Sequence, residues 1–159
     1  MADLTHYRFR KVWKVDAAPD AVFDVLADLA TYPRWWPQVR EVQRIDDHRA
    51  YVRIRATLPY TLRLRLHRRA EDRATGLLEV GIQGDLEGLA RWRVGPGAAG
   101  SVLRYEQDVR TRKHSLNALA PVARWAFIAN HAAMMRSGER GLRVFLGRGS
   151  LTPPGDTAG

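Results

Sequence analysis

The sequence predicts an α+β chain in which a seven-stranded curved antiparallel sheet wraps around one long C-terminal helix, with two short helices after the first strand. Three observations carry that prediction. Residues 121–147 (PVARWAFIANHAAMMRSGERGLRVFLG) set Phe127, Ile128, His131, Met134, Met135, Leu142 and Phe145 three and four residues apart, which lays them along one face of a helix about 40 Å long. Residues 39–112 break into short runs separated by turn residues, and connections that short imply an antiparallel meander. Within those runs apolar and charged residues alternate, so the sheet has one oily face and one face in water.

The elements follow in chain order. Residues 6–16 (HYRFRKVWKVD) alternate with Tyr7, Phe9, Trp13 and Val15 on one side, interrupted by Lys11 on that side and Val12 on the other. Pro19 and Asp20 suit a first helical turn, Val22, Phe23, Leu26 and Leu29 repeat with helical spacing, and Tyr32-Pro33 closes the segment. Of the adjacent pair Trp35 and Trp36, one packs and the other is partly exposed or lines an opening. Strands are expected at 39–45, 51–57, 61–69, 77–83, 89–94 and 102–110. Turns fall at Asp46-Asp47, Leu58-Pro59, residues 71–76, GDLEG (84–88) and GPGAAG (95–100). The inward set is Val52, Ile54, Ala56, Leu62, Leu64, Leu66, Leu78, Val80, Ile82, Ala90, Trp92, Val94, Leu103, Tyr105, Gln107 and Val109, and arginines dominate the opposite face. A curled sheet and a helix ridge do not mate fully, so a pocket is expected between them. One domain spans 6–147, and the Gly/Pro/Ser-rich stretch from there to residue 159 is expected to be a disordered tail.

Composition excludes several classes. Hydrophobic residues at 45% and charged ones at 27% are ordinary for a soluble protein, and no apolar run reaches membrane-span length. The N-terminus has no apolar core of a secretory signal, and a cytoplasmic location is the expectation. There is no cysteine, so disulfides and thiolate metal sites are out. His6, His48, His67 and His114 are scattered, so no metal site is expected, and no cofactor is implied. The glycines of 95–100 lie between strands and open no helix, unlike a phosphate loop. The net charge of +9 points either to a partner (nucleic acid, an anionic membrane surface or an acidic partner) or, since arginine far outnumbers lysine, to an arginine-rich proteome. The charged sheet face lacks the exposed aromatics of single-strand binders, and Glu79, Glu106 and Asp108 interrupt it. It reads as a solvated face with at most weak attraction to anionic membranes; no specific nucleic acid is expected, and the oligomeric state stays open.

His131, in the middle of the oily helix face, is either a polar anchor in a cavity or a core histidine with one hydrogen bond, to Tyr105 or a backbone carbonyl. Asn130 points about 100° away and reads as a local contact. Tyr105 and Gln107 are the polar members of the last strand's inward face, and an inward amide needs partners or a wet cavity. His131 and Tyr105 are the candidates for acid/base work. The wall of a ligand site is drawn from Trp36, Ile54, Leu64, Leu66, Arg68, Val80, Trp92, Phe127, Met134 and Met135 together with Tyr105, Gln107 and His131.

Three stretches together, AAPDAVFDVLADLATYPRWWPQV, GDLEGLARWRV with SVLRYEQDV, and NHAAMMRSGERGLRVFL, resemble the START/SRPBCC superfamily of the helix-grip fold shared with birch-pollen allergens. Within it the chain is most similar to the polyketide cyclase/dehydrase and lipid-transport branch found in bacteria. The resemblance covers residues 6–147 and implies a hydrophobic small molecule as partner: a lipid, a polyketide or similar. It leaves three functions open. These are a non-catalytic binder or carrier, a polyketide aromatase/cyclase or dehydrase, and a basic module that meets RNA or ribosomes through its arginine face. In the cyclases a pocket arginine on the corresponding strand holds the substrate, and Arg68 is the nearest match. Against that, the strand can end before Arg68 and leave it solvated, and the inward residues before it are leucines.

Overall fold

The computed structural model describes residues 4–55, 60–113 and 120–149. Strand β1 (His6–Val15) leads into α1 (Pro19–Ala27), a 3-10 turn (Leu29–Thr31) and the short α2 (Tyr32–Trp35). Six strands follow: β2 (Val39–Arg44), β3 (Arg49–Arg55), β4 (Thr61–Asp72), β5 (Leu77–Gly84), β6 (Leu86–Gly97) and β7 (Gly100–Thr111). Helix α3 (Ala120–Gly149) ends the described chain. The sheet order is β1-β7-β6-β5-β4-β3-β2, antiparallel at every step. This is the helix-grip arrangement, with the first and last strands side by side.

Register fixes which residues face the helix. Pairing sets Tyr7 against Val109, Phe9 against Gln107, Lys11 against Tyr105 and Trp13 against Leu103. Each of these except Lys11 is buried, so the inner face of β1 and β7 is continuous. Lys11 is half-buried on this face, and Val12, on the other, is exposed. The side-chain period of two leaves no other choice, since a slip of one residue would turn arginines inward. Outward charges pair across strands: Glu79 takes Arg91 at 2.9 Å, Glu41 takes Arg53 at 3.2 Å and Asp108 takes Arg8 at 3.0 Å.

Several expectations are corrected. GDLEG is not a loop: only Asp85 lies between β5 and β6, and Leu86 is buried inside β6. The turn at 95–100 narrows to Ala98-Ala99, because Gly95 and Pro96 still pair with Val102 and Ser101. Pro33 does not end the helical segment but sits in the first turn of α2, where its missing N–H costs nothing. Of the tryptophan pair, Trp35 packs and Trp36 lines an opening, as expected, but neither is exposed; both are buried and stack on one another at 5.3 Å. Ile128 lies off the inner face of α3 and is 38% exposed. Residues 147–149, assigned to the tail, continue α3. Ala56, the turn at 58–59, His114 and residues 150–159 lie outside the described residues.

Two contacts set where α3 lies. A Cβ on Gly141 would fall 1.6 Å from the Trp35 carbonyl oxygen, and one on Gly138 would fall 2.6 Å from the Trp36 ring. These glycines let the helix lie directly on α2. Toward its other end, Arg124 donates to the carbonyls of Leu4 and His6 at 3.2 and 3.1 Å and lies over the Tyr7 ring. The helix is thus pinned to α2 and to the β1 edge of the sheet.

Candidate functional site

Over β3 to β6 the helix stands off, and a cavity of about 570 Å³ lies between it and the sheet. Trp36, Ile54, Leu64, Leu66, Arg68, Val80, Trp92, Tyr105, Gln107, Phe127, His131, Met134 and Met135 all line it. They come from the residue that caps the end of α2, from strands β3 to β7 and from α3. Trp36 is held in place by its indole N–H, which donates to the Met134 carbonyl at 2.9 Å. That bond ties the roof helix to the short helix beside it.

A polar cluster stands on the β7–α3 wall. The Tyr105 hydroxyl donates to Gln107 Oε1 at 2.5 Å, and His131 Nε2 meets the same oxygen at 3.3 Å. An amide oxygen only accepts, so Nε2 carries the ring proton and Nδ1 is left as an acceptor. Nδ1 is buried and has no hydrogen-bond partner among the described residues. The imidazole stacks on Phe9 at 3.6 Å between centroids. The single hydrogen bond anticipated for His131 exists, but its partner is Gln107 and not Tyr105 or a backbone carbonyl. Burial, helped by the charge of Lys11, pushes the imidazole pKa down to about 3. Burial also pushes the Tyr105 hydroxyl well above the ordinary tyrosine value. The cluster is therefore uncharged across the physiological range.

Asn130 is more than a local helix contact. It is buried, lines the cavity and donates from Nδ2 to the Tyr60 hydroxyl at 3.2 Å, whose pKa burial raises to about 12. The sequence pattern concealed this. Asn130 is 100° from His131 but only about 60° from Phe127, and the walls wrap far enough round the helix to reach it. Also missed were Leu26, Tyr32, Val39 and Val42, which line the cavity from the short helices and β2. The apolar periodicity there was visible, but its direction depended on how α1 and α2 fold back.

The mouth opens between the end of α1, the β2–β3 turn and the far part of β4, where exposed lining residues gather: Asp28, Asp46, Asp47, His48, Arg49 and Arg68. Asp46 orders this turn by accepting from the backbone N–H groups of His48 and Arg49 and from the Arg49 guanidinium. Those bonds lower its pKa to about 2. The strand does not end before Arg68: β4 continues to Asp72, with a bulge between Arg68 and Ala70. The Arg68 side chain is half-exposed, pairs with Glu71 at 2.7 Å and reaches the Ala27 carbonyl at 3.5 Å. It borders the mouth and sits away from the Tyr105–Gln107–His131 cluster. Among the described residues no three His, Asp or Glu side chains are grouped to hold a metal ion.

The family model described as "Polyketide cyclase / dehydrase and lipid transport" matches residues 6–143, and the chain belongs to that family. Among solved structures it is similar to the Zhui aromatase/cyclase from Streptomyces sp. R1128, with a TM-score of 0.79 at 16% identity over 94% of this chain and 99% of that one. A START superfamily protein from Mycobacterium smegmatis matches with a TM-score of 0.60 at 13% identity over 84% and 96%. Ara h 8.0201 matches with 0.60 at 14% identity over 86% and 97%. No curated protein sequence matches the chain significantly.

Proposed function

We propose that the chain binds a hydrophobic small molecule of the lipid or polyketide class in this cavity and holds it without transforming it. The observation that carries the reading is the cavity itself. Its volume of about 570 Å³ falls in the range of small-molecule sites. Its walls are leucine, valine, tryptophan and methionine, with one compact set of neutral hydrogen-bonding groups to fix orientation. Met134 and Met135 supply an adaptable wall.

A second reading, polyketide aromatase/cyclase, draws support from the family and from the likeness to the Streptomyces enzyme. The electrostatics favour holding over acid/base chemistry. An effective general base or acid has a pKa near the working pH. His131, at about 3, and Tyr105, raised by burial, are displaced in opposite directions from that point. In the cyclase reading the walls themselves would fold the chain, and positioning would be the catalysis. RNA binding through the sheet face is disfavoured by its ion pairs and because, among the described residues, Tyr51 is its one large exposed aromatic and Arg65 covers it.

Titration with the neutral fluorophore 1-aminoanthracene tests the reading. The native chain is expected to bind it, and Leu64→Trp, which fills the cavity from β4, is expected to weaken binding at least about tenfold. Equal binding by both proteins would refute the site. A lipid or polyketide seen by native mass spectrometry would name the natural occupant.

A further inference from the structure

Trp125 is 79% exposed, whereas the other four tryptophans are buried. It stands on the outer side of α3 near Val122, which is 76% exposed. At 100° per residue, Val122, Trp125, Ala129, Arg136 and Arg140 fall within an arc of about 60°. That arc lies opposite the side carrying Phe127, Met134 and Gly138. Ile128 and Leu4, 38% and 39% exposed, extend the apolar area toward the β1 edge, where Arg124 holds the Leu4 carbonyl. The outer side of the helix is thus apolar from Val122 to Ala129 and basic about 16 Å further on.

We propose that this face of α3 docks on an anionic lipid bilayer, with Trp125 and Val122 entering the headgroup boundary and Arg136 and Arg140 meeting lipid phosphates. The described helix holds one acid, Glu139, and Arg143 occupies it at 2.6 Å. Arg136 and Arg140 are exposed and have no ion-pair partner among the described residues. The surface is a convex ridge, and the indole suits a boundary between oil and water. A protein partner would need to supply a matching groove. A second copy would bring another +9 toward the first. No described helix is long and apolar enough to cross a membrane, so contact is peripheral. The inference does not depend on the cavity being a ligand site, and its test needs no ligand.

The experiment is co-sedimentation of the full chain with vesicles of phosphatidylcholine and phosphatidylglycerol, and with phosphatidylcholine alone, at low and high salt. Binding is expected to the anionic vesicles at low salt, with a blue shift of indole emission, and to be largely lost at high salt. Trp125→Ala is expected to weaken it about tenfold. Neutralising Arg136 and Arg140 with glutamine should cost about fivefold for each charge. Val122→Ser reads the same surface independently. Because both apolar side chains are largely exposed, the variants should melt like the native chain. The proposal is overturned if neither vesicle is bound, if both apolar variants bind as well as the native chain, or if light scattering shows that Trp125→Ala splits a dimer.

Discussion

Lowering the pH should expose the buried state of His131. An imidazole in the unfolded chain has a pKa near 6.5, and in the folded chain burial beside Lys11 holds it at about 3. The unfolded state therefore takes up a proton that the native state refuses. Stability from this group is complete above about pH 6.5 and falls as the pH drops toward 3. At pH 5 the gap is about 1.5 units below the unfolded value, and at 1.36 kcal/mol per unit the loss is about 2 kcal/mol. His131→Gln keeps a hydrogen-bonding group beside Gln107 and cannot charge, so it removes this dependence. Urea unfolding of both proteins at pH 7 and pH 5 measures it. The native chain should lose about 2 kcal/mol more than the variant between those values. Contributions from all other groups are common to both proteins and cancel in the difference. In the native chain the His131 ring resonances should not titrate above pH 4, which tests the same point without a variant. Equal losses, or an ordinary His131 titration near 6.5, would show that the imidazole is solvated and not buried against Phe9 and Gln107.

Other perturbations test other parts of the molecule. Gly141→Ala should destabilise the chain by about 2 kcal/mol, because its Cβ would lie 1.6 Å from the Trp35 carbonyl oxygen; a gain of about 1 kcal/mol in thermal unfolding, the usual effect in an open helix, would show that α3 does not lie on α2. Glu79→Gln should cost about 1 kcal/mol in urea unfolding, since Glu79 is only 13% exposed and holds Arg91 at 2.9 Å and Arg69 at 3.5 Å. Asp46→Ala should quicken amide exchange at His48 and Arg49 without altering the core, because both N–H groups lose their acceptor.

The strands were legible because alternation is set by pairing geometry, and pairing geometry is local in a meander. Val52, Leu62, Leu64 and Trp92 could face only one way once Arg53, Arg63 and Arg93 faced the other. Turn lengths were less legible: glycine suggests loops at 84–88 and 95–100, whereas Gly88 and Gly95 lie within β6. The bulge after Arg68 was also hidden, since one extra residue leaves no trace in composition. So was the burial of both Trp35 and Trp36, which depends on α3 approaching through Gly138 and Gly141.

Whether inward residues enclose space is a separate question from which residues point inward, and α3 shows why. A helix with the same apolar face could sink onto the strands and fill the interior. Here its approach is fixed elsewhere, by the glycines against α2 and by Arg124 against the β1 edge. Between these supports the side chains that reach down are His131, Met134 and Phe127, and the strands below answer with Leu64, Leu66 and Val80. These are medium-sized groups that do not span the gap, and the hollow follows from where the helix is held. Substituting the wall residues should therefore change the volume of the cavity, while loosening Gly141 or Arg124 should change whether it exists at all.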